Sequence, residues 1–263
     1  MNTTNPLISV IIPTYNSEEY IAEALNSVLQ QTYNNIEVLL VDDASTDNTT
    51  EIVRLFAKND CRIILEKLPI NSGTAIARNK GINSANGSFI AFLDADDMWL
   101  PNKLQLQLEL MQEKNCAVVF SSYHCMNETG ELLGKIVTAL PQLSLQKILK
   151  CNYLGNLTGM YSVEKLDKLF APNIRKRQDW ALWINAISKG GCAYGISEPL
   201  AVYRERKNSI SSNKFKMLSY NFSIYKDFLK YSYVKSIYYM ILFLFEYFFV
   251  KPKYIKKSKN RLT

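Results

Sequence analysis

Residues 88–97 read SFIAFLDADD, an apolar run that ends in three carboxylates, Asp94, Asp96 and Asp97. A buried strand normally ends in turn residues, not in a cluster of acids. The run is one of a series. LISVII (7–12), IEVLLV (36–41), RIILE (62–66) and CAVVFSSY (116–123) have the same short, β-branched, apolar character. Amphipathic segments separate them. A helix is expected from a Ser17 cap to Gln31, a second over STDNTTEIVRLFAKN (45–59), and a weaker one over SGTAIARNKGINSA (72–85). The third is weaker because Gly81 costs a helix about 1 kcal/mol relative to alanine. Pro101 suits the first turn of a fourth helix, PNKLQLQLELMQEK. Strands alternating with helices at this spacing predict an α/β domain with a doubly wound, parallel sheet. Such sheets bind ligands beyond the carboxyl ends of their strands, where PTYN, DDAS and DADD all fall.

The second half is less regular. QDWALWINAISKGG (178–191) predicts a helix with Trp180, Trp183, Ile184 and Ile187 on one face and glycine at its end. CAYGI and LAVYR suggest further strands, and from Phe215 the pattern is helical and aromatic.

Charge and composition narrow the function. The net charge is +7, but six basic residues and no acids lie between Lys251 and the C-terminus. Subtracting those six from 31 leaves 25 basic residues against 24 acidic ones, so a body-wide nucleic-acid face is not expected. Five scattered cysteines without a C-x-x-C pair fit neither a disulfide framework nor a zinc site and point to a reducing compartment. The first basic residue is Arg54 and LISVII is too short for a signal h-region, so secretion is not expected. With His124 as the single histidine, acid–base work falls to carboxylates.

Neither a G-x-x-x-x-G-K-[ST] loop nor a G-x-G-x-x-G turn is present. A nucleotide bound without such a glycine cradle needs another means of neutralising its diphosphate, and a carboxylate-held Mg²⁺ or Mn²⁺ supplies one. Asp94 and Asp96, separated by the small Ala95, can point from one side of a strand end toward one ion. The plainer alternative is a solvated turn, since D-x-D alone is a weak motif.

Taken together, SVIIPTYNSEEYIAEALNSVLQQTY, VDDASTDNT, NSGTAIARNKGINSANGSFIAFLDADD and RQDWALW resemble, in order, the segments of family 2 glycosyltransferases. The similarity spans roughly residues 7–212 and is greatest to bacterial enzymes of capsule, O-antigen and teichuronic-type polysaccharide synthesis. It implies a GT-A fold: a Rossmann-like, nucleotide-sugar-binding, mostly parallel sheet flanked by helices over residues 1–212. A C-terminal helical extension follows over residues 213–263.

The resemblance implies roles residue by residue. Pro13 and Tyr15 would lie beside the nucleobase, Asp43 would accept from the uracil imide N–H, and Arg78 would lie near the nucleotide. Asp42 is then a capping or structural acid. Asp94 would touch the ribose or the metal, Asp96 would be the principal metal ligand, and Asp97 a supporting residue. Asp179 would be the general base of an inverting displacement, at a helix N-terminus that favours its ionised form. Family members usually carry Glu where this chain has Gln178. In YRERKNSISSNK (203–214), Arg204, Arg206 and Ser211 would meet the diphosphate. A nucleotidyltransferase is disfavoured because PTYNSEEY is neither glycine-rich nor basic. A catalytically inactive nucleotide-sugar binder or assembly protein of the same pathway is the alternative from another class.

The most apolar stretch, SIYYMILFLFEYFFV (236–250), has 15 residues, short of the roughly 20 that cross a bilayer. With the cationic tail beside it, it reads as docking on an anionic membrane surface; a homodimer interface or packing on the catalytic domain are the alternatives. The expected setting is cytoplasmic and peripheral on the inner membrane face, with a polyprenyl-diphosphate-linked glycan as acceptor.

Overall fold

A computed structural model describes residues 5–174, 176–206 and 214–257. Strands β1 (Ile8–Thr14), β2 (Ile36–Asp42), β3 (Ile63–Lys67) and β4 (Phe89–Phe92) form a parallel sheet in the order β3-β2-β1-β4. Every residue of β1 and β2 is buried, because helices cover both faces of a parallel sheet and leave no wet side on which polar residues could alternate. Helices α1 (Ile21–Leu29), α2 (Thr49–Asn59) and α3 (Thr74–Ser84) connect them. Gly81, which lowered the helical expectation, has a packing reason. A Cβ there would lie 2.7 Å from Ile11 Cγ2, so glycine lets α3 approach the sheet closely.

Two helix starts differ from expectation. α1 begins at Ile21, not at Ser17, whose carbonyl accepts the N–H groups of Tyr20 and Ile21. The cap residue of α2, Asn48, makes no side-chain capping bond. Instead Asp47 accepts the N–H of Thr49, and Glu18 accepts that of Asn48 from across the rim.

Beyond β4 the sheet is mixed. A short β9 (Met160–Ser162) lies antiparallel between β4 and the long β6 (Val118–Met126). β10 (Cys192–Arg204) runs parallel along one edge of β6, while β7 (Leu132–Val137), antiparallel, pairs with residues 123–126 on the edge that β9 occupies at 118–119. β10 fuses the two strands expected from CAYGI and LAVYR, with register shifts around Pro199, a residue that cannot donate to a ladder. It also pairs with the two-residue β5 (Met98–Trp99) and with β8 (Gln142–Ser144). Helix α4 (Lys103–Lys114) starts just after Pro101, and the short α5 (Leu145–Ile148) and α6 (Val163–Leu166) flank β9 in sequence. Helix α7 (Gln178–Gly190) buries Trp180 and Trp183 and ends at Gly191 with φ +85°. The Trp183 ring meets Phe92 edge-on at 5.8 Å, which seats α7 against the sheet.

After α8 (Lys214–Ser223), α9 (Tyr233–Phe245) continues through wider and then tighter turns to Tyr254. The helical run is therefore 22 residues, Tyr233–Tyr254, long and apolar enough by length and composition to cross a membrane. This corrects the shorter length read from the apolar core of the segment alone. Yet one face of the run is tied to the domain. Phe243 packs on Trp180 at 5.8 Å, and buried Glu246 accepts from Tyr153 Oη at 2.8 Å and pairs with Lys147. The chain then returns to the sheet as β11 (Ile255–Lys257), antiparallel to β7.

Candidate active site

The carboxyl ends of β1, β2 and β4 form one rim. Pro13 is buried in β1 opposite Val41, and Tyr15, the first residue past the strand, is 46% exposed. Asp42 turns inward: fully buried, it accepts from Ser45 N and Thr50 Oγ1. Asp43 accepts the N–H groups of Ser72 and Gly73 at 2.7 and 2.8 Å, which fixes its carboxylate at the start of α3. The DDAS pair thus divides into a structural acid and a rim acid.

The acid loop after β4 is held from behind. Asp97 N donates to Asp94 O, closing a turn, and the buried Asp97 carboxylate accepts Arg204 N at 2.9 Å. Burial, then Asp96 and Asp94, push the Asp97 carboxyl well above the usual carboxylate range. Asp96 is raised too, by burial first and then by Asp94, while Arg206 and Arg204 oppose the shift. Arg206 Nη2 lies 2.8 Å from Asp96 Oδ2. Arg204 points to the underside of the loop. Its Nε donates to Asp96 O, its Nη1 to Glu128 O, and its Nη2 pairs with Glu23. Both guanidinium groups stack over Tyr20, at 4.7 and 5.7 Å.

Asp94 is the open member of the cluster. Its Oδ1 accepts from Arg78 Nη2 at 3.1 Å and faces Asn156 Nδ2 at 3.5 Å. Arg78 is 4% exposed and Asn156 8%, yet Arg78 Nε and Asn156 Oδ1 have no hydrogen-bond partner among the described residues. A buried donor and a buried acceptor without partners, both flanking one carboxylate, mark where a polar ligand would be satisfied.

Asp179, in the first turn of α7, accepts from Asn152 Nδ2 at 3.0 Å through Oδ2. Gln178 donates to Ile174 O at 2.8 Å. Asn152 O accepts in turn from Lys251 Nζ at 2.7 Å, linking the C-terminal extension to the start of the catalytic-type helix. Ser211, also expected near the diphosphate, lies outside the described residues, as do Lys207 and Ser209.

Thus Asp43, Arg78, Asp94, Asp96 and Arg206 gather at or beside the rim, while Arg204 sits beneath it. Glu23, Asn152 and Asn156 were not singled out from sequence. The two asparagines had a faint signal, as amides within the apolar segment CNYLGNL. No group of three or more His, Cys, Asp or Glu able to hold a metal occurs among the described residues. The carboxylates available to a divalent cation are the pair Asp94 and Asp96. They repel one another, and a guanidinium already lies against Asp96. A two-carboxylate donor set fits an ion that completes its shell with substrate phosphate and water.

A Rossmann-like sheet with acids at its carboxyl rim and a helix-borne aspartate facing the mixed half is the architecture of a GT-A glycosyltransferase. S. aureus TarS 1-349, solved with UDP-GlcNAc, superimposes with a TM-score of 0.71 over 92% of this chain and 73% of that one, at 24% identity. The glycosyl transferase family 2 pattern matches residues 9–167. The putative teichuronic acid biosynthesis glycosyltransferase TuaG of Bacillus subtilis (strain 168) is 42% identical over 90% of this chain and 94% of its own. WfgD of Escherichia coli, a UDP-Glc:alpha-D-GlcNAc-diphosphoundecaprenol beta-1,3-glucosyltransferase, is 37% identical over 90% and 92%. The chain belongs to glycosyl transferase family 2 and is a glycosyltransferase.

Proposed function

We propose that the protein transfers a sugar, with inversion, from a UDP-sugar to a hydroxyl of a polyprenyl-diphosphate-linked glycan in bacterial surface polysaccharide synthesis. The observation that carries the donor half is Asp94, flanked by the unpartnered Arg78 Nε and Asn156 Oδ1. The similarity to WfgD and TuaG supports the acceptor and the pathway. Tyr15 offers an exposed ring for the base, and Asp43, already aligned by two backbone N–H groups, accepts from the uracil imide. Asp94 and Asp96 hold Mn²⁺ or Mg²⁺, which when bound neutralises the diphosphate. Arg206 leaves Asp96 for the diphosphate oxygens when the donor enters. Arg204 acts from beneath, by fixing the loop. Asp179 takes the proton of the attacking hydroxyl on Oδ1 while Asn152 holds Oδ2, which orients the base. One base and one displacement give inversion.

Nucleotide release measured with Mn²⁺ across UDP-, GDP- and dTDP-sugars tests this reading. UDP-sugars are expected to turn over, and Asp96→Asn to abolish the metal-dependent rate. Turnover of GDP-sugars alone would remove the imide assignment of Asp43, whereas turnover of dTDP-sugars, whose thymine carries the same imide N–H, would change the nucleotide and keep that contact.

The exposed face of α9 supports a peripheral site on the cytoplasmic membrane surface. Val234, Ile237, Tyr238, Ile241 and Phe245 recur at helical spacing, each at least 42% exposed, with the lysines of the tail beyond them. Deleting the helix would strip Phe243 from Trp180, so the test is a double substitution, Ile237→Glu with Ile241→Glu. Loss of flotation with anionic liposomes is expected. Unchanged flotation together with a dimer that dissociates in the variant would assign the face to a second copy of the chain.

A further inference from the structure

Side chains alternate between the two faces of a strand, and this sorts the end of β10 into two sets. Arg204 and Arg206 reach the acid loop. Tyr203 and Glu205 point the other way, into an open cleft of about 360 Å³ between the sheet and the end of the α9 run. Tyr123 from β6 and Lys135 from β7 share its floor, and Tyr247, Phe248 and Lys251 form its roof. Apolar rings therefore line a space that also holds two cations. Lys135 Nζ is engaged by Glu205 at 2.5 Å. Lys251 Nζ makes one hydrogen bond among the described residues, to Asn152 O, and an ammonium has three N–H donors.

The cleft adjoins the site at both ends. Through Asn152, Lys251 lies one residue from the Asp179 carboxylate. The half-buried Tyr203 hydroxyl lies within the field of Asp97, Asp96 and Asp94. Outward, Phe248 is 62% exposed and Phe245 57%, and they continue the apolar stripe of α9. An occupant complementary to this arrangement has an anion near Lys251, an apolar chain over Phe248 and Tyr247, and a hydroxyl-bearing group reaching Asp179.

Resting on the reading above that the acceptor is lipid-linked, we infer that this cleft seats the acceptor where its diphosphate joins the isoprenoid chain. Lys251 binds the diphosphate, Tyr247 and Phe248 hold the first isoprene units, and the rest of the chain leaves along the α9 stripe. Because only Asn152 separates the cation from the base, the acceptor presents a single sugar ring between its diphosphate and the reacting hydroxyl. The C-terminal extension is then part of the acceptor site, and its membrane-facing stripe and the cleft share one lipid chain.

The test is calorimetric titration of the full chain with farnesyl diphosphate, inorganic diphosphate and farnesol, in EDTA so that no metal recruits diphosphate to the acid loop. Farnesyl diphosphate is expected to bind at least about tenfold more tightly than either fragment. Lys251→Gln and Phe248→Ala are each expected to weaken it about tenfold, the loss of one charge-assisted contact or one apolar anchor. Lys251→Arg should restore most of the affinity. Phe248 is largely exposed, so Phe248→Ala decides the matter should Lys251→Gln lower the melting temperature. Equal affinity for the three probes, or Phe248→Ala binding as wild type does, overturns the inference. Absence of UDP-sugar turnover by wild type would instead defeat the donor reading and leave the titration result standing.

Discussion

Arg204 separates two accounts of this site. By sequence it belongs among the diphosphate-binding residues, whereas its guanidinium is 2% exposed and engaged with the protein. Nε and Nη1 donate to the carbonyls of Asp96 and Glu128 at 2.9 and 3.0 Å, and Nη2 pairs with Glu23. Arg204→Lys keeps the charge and removes the fork. An ammonium at one point cannot serve acceptors in three directions, so at least one and at most two carbonyls lose their donor, at about 1–3 kcal/mol each. Glu23 is 44% exposed and regains water, so its share is small. The sum is about 1–6 kcal/mol of lost stability. At about 2–4 °C per kcal/mol for a chain near this size, the melting temperature should fall by roughly 10 °C. Calorimetric melting gives that number, and titration with UDP and Mn²⁺ well below the transition gives the donor affinity. A variant that melts with wild type yet binds UDP tenfold more weakly would refute the positioning role and restore Arg204 to the diphosphate.

Other substitutions probe separate links of the argument. Asp179→Asn should keep the approach of Asn152 and the UDP affinity while kcat falls by about 10²–10⁴, the usual worth of a general base; a smaller fall seen in single-turnover kinetics would remove Asp179 from that role. Lys103 is fully buried, its Nζ bonded to Gln107 and 3.8 Å from the Trp99 ring, and burial pushes its ammonium well below the normal range. Between that depressed value and about 10.4 the unfolded chain holds a proton that the folded chain has shed, so stability should rise with pH by up to about 1.4 kcal/mol per unit. Urea midpoints measured at intervals up to about pH 10 should rise with pH more in wild type than in Lys103→Met, which lacks the Lys103 share. Gly159→Ala places a methyl 2.2 Å from Trp183 Cζ2 and should cost about 1–3 kcal/mol in urea unfolding, loosening α7 and with it Asp179.

The parallel half of the sheet was legible because its signals are local. Each strand is a short apolar run, each helix has its own period, and the rim follows from where the strands stop. Asp43, Asp94 and Asp96 stand at those stops. The mixed half has no such signal. β9 is three residues long, and its place between β4 and β6 depends on partners some 40 to 70 positions away in sequence. Asn152 and Asn156 gain meaning from Asp179 and Asp94, which lie 27 and 62 residues away. In the extension the helical period was visible, but not which face is buried. Glu246, which interrupts the apolar run, is a buried partner of Lys147 and Tyr153, so the residue that looked most exposed by polarity is an anchor.

Strand parity explains how one segment serves both halves of the site. In YRER, the even-numbered arginines reach the acid loop and the odd-numbered Tyr203 and Glu205 face the cleft. That division is set upstream, where β10 shifts register against β6 between Ile196 and Pro199 and again between Pro199 and Ala201. A slip of one residue there would exchange the faces, putting a tyrosine and a glutamate under the acid loop and two guanidinium groups in the aromatic cleft. The irregularity around Pro199 is therefore tied to function although no residue in it touches the site. It also accounts for CAYGI and LAVYR reading as two strands: the break in the pattern is the register shift, within one continuous strand that carries the loop-fixing arginine to its place.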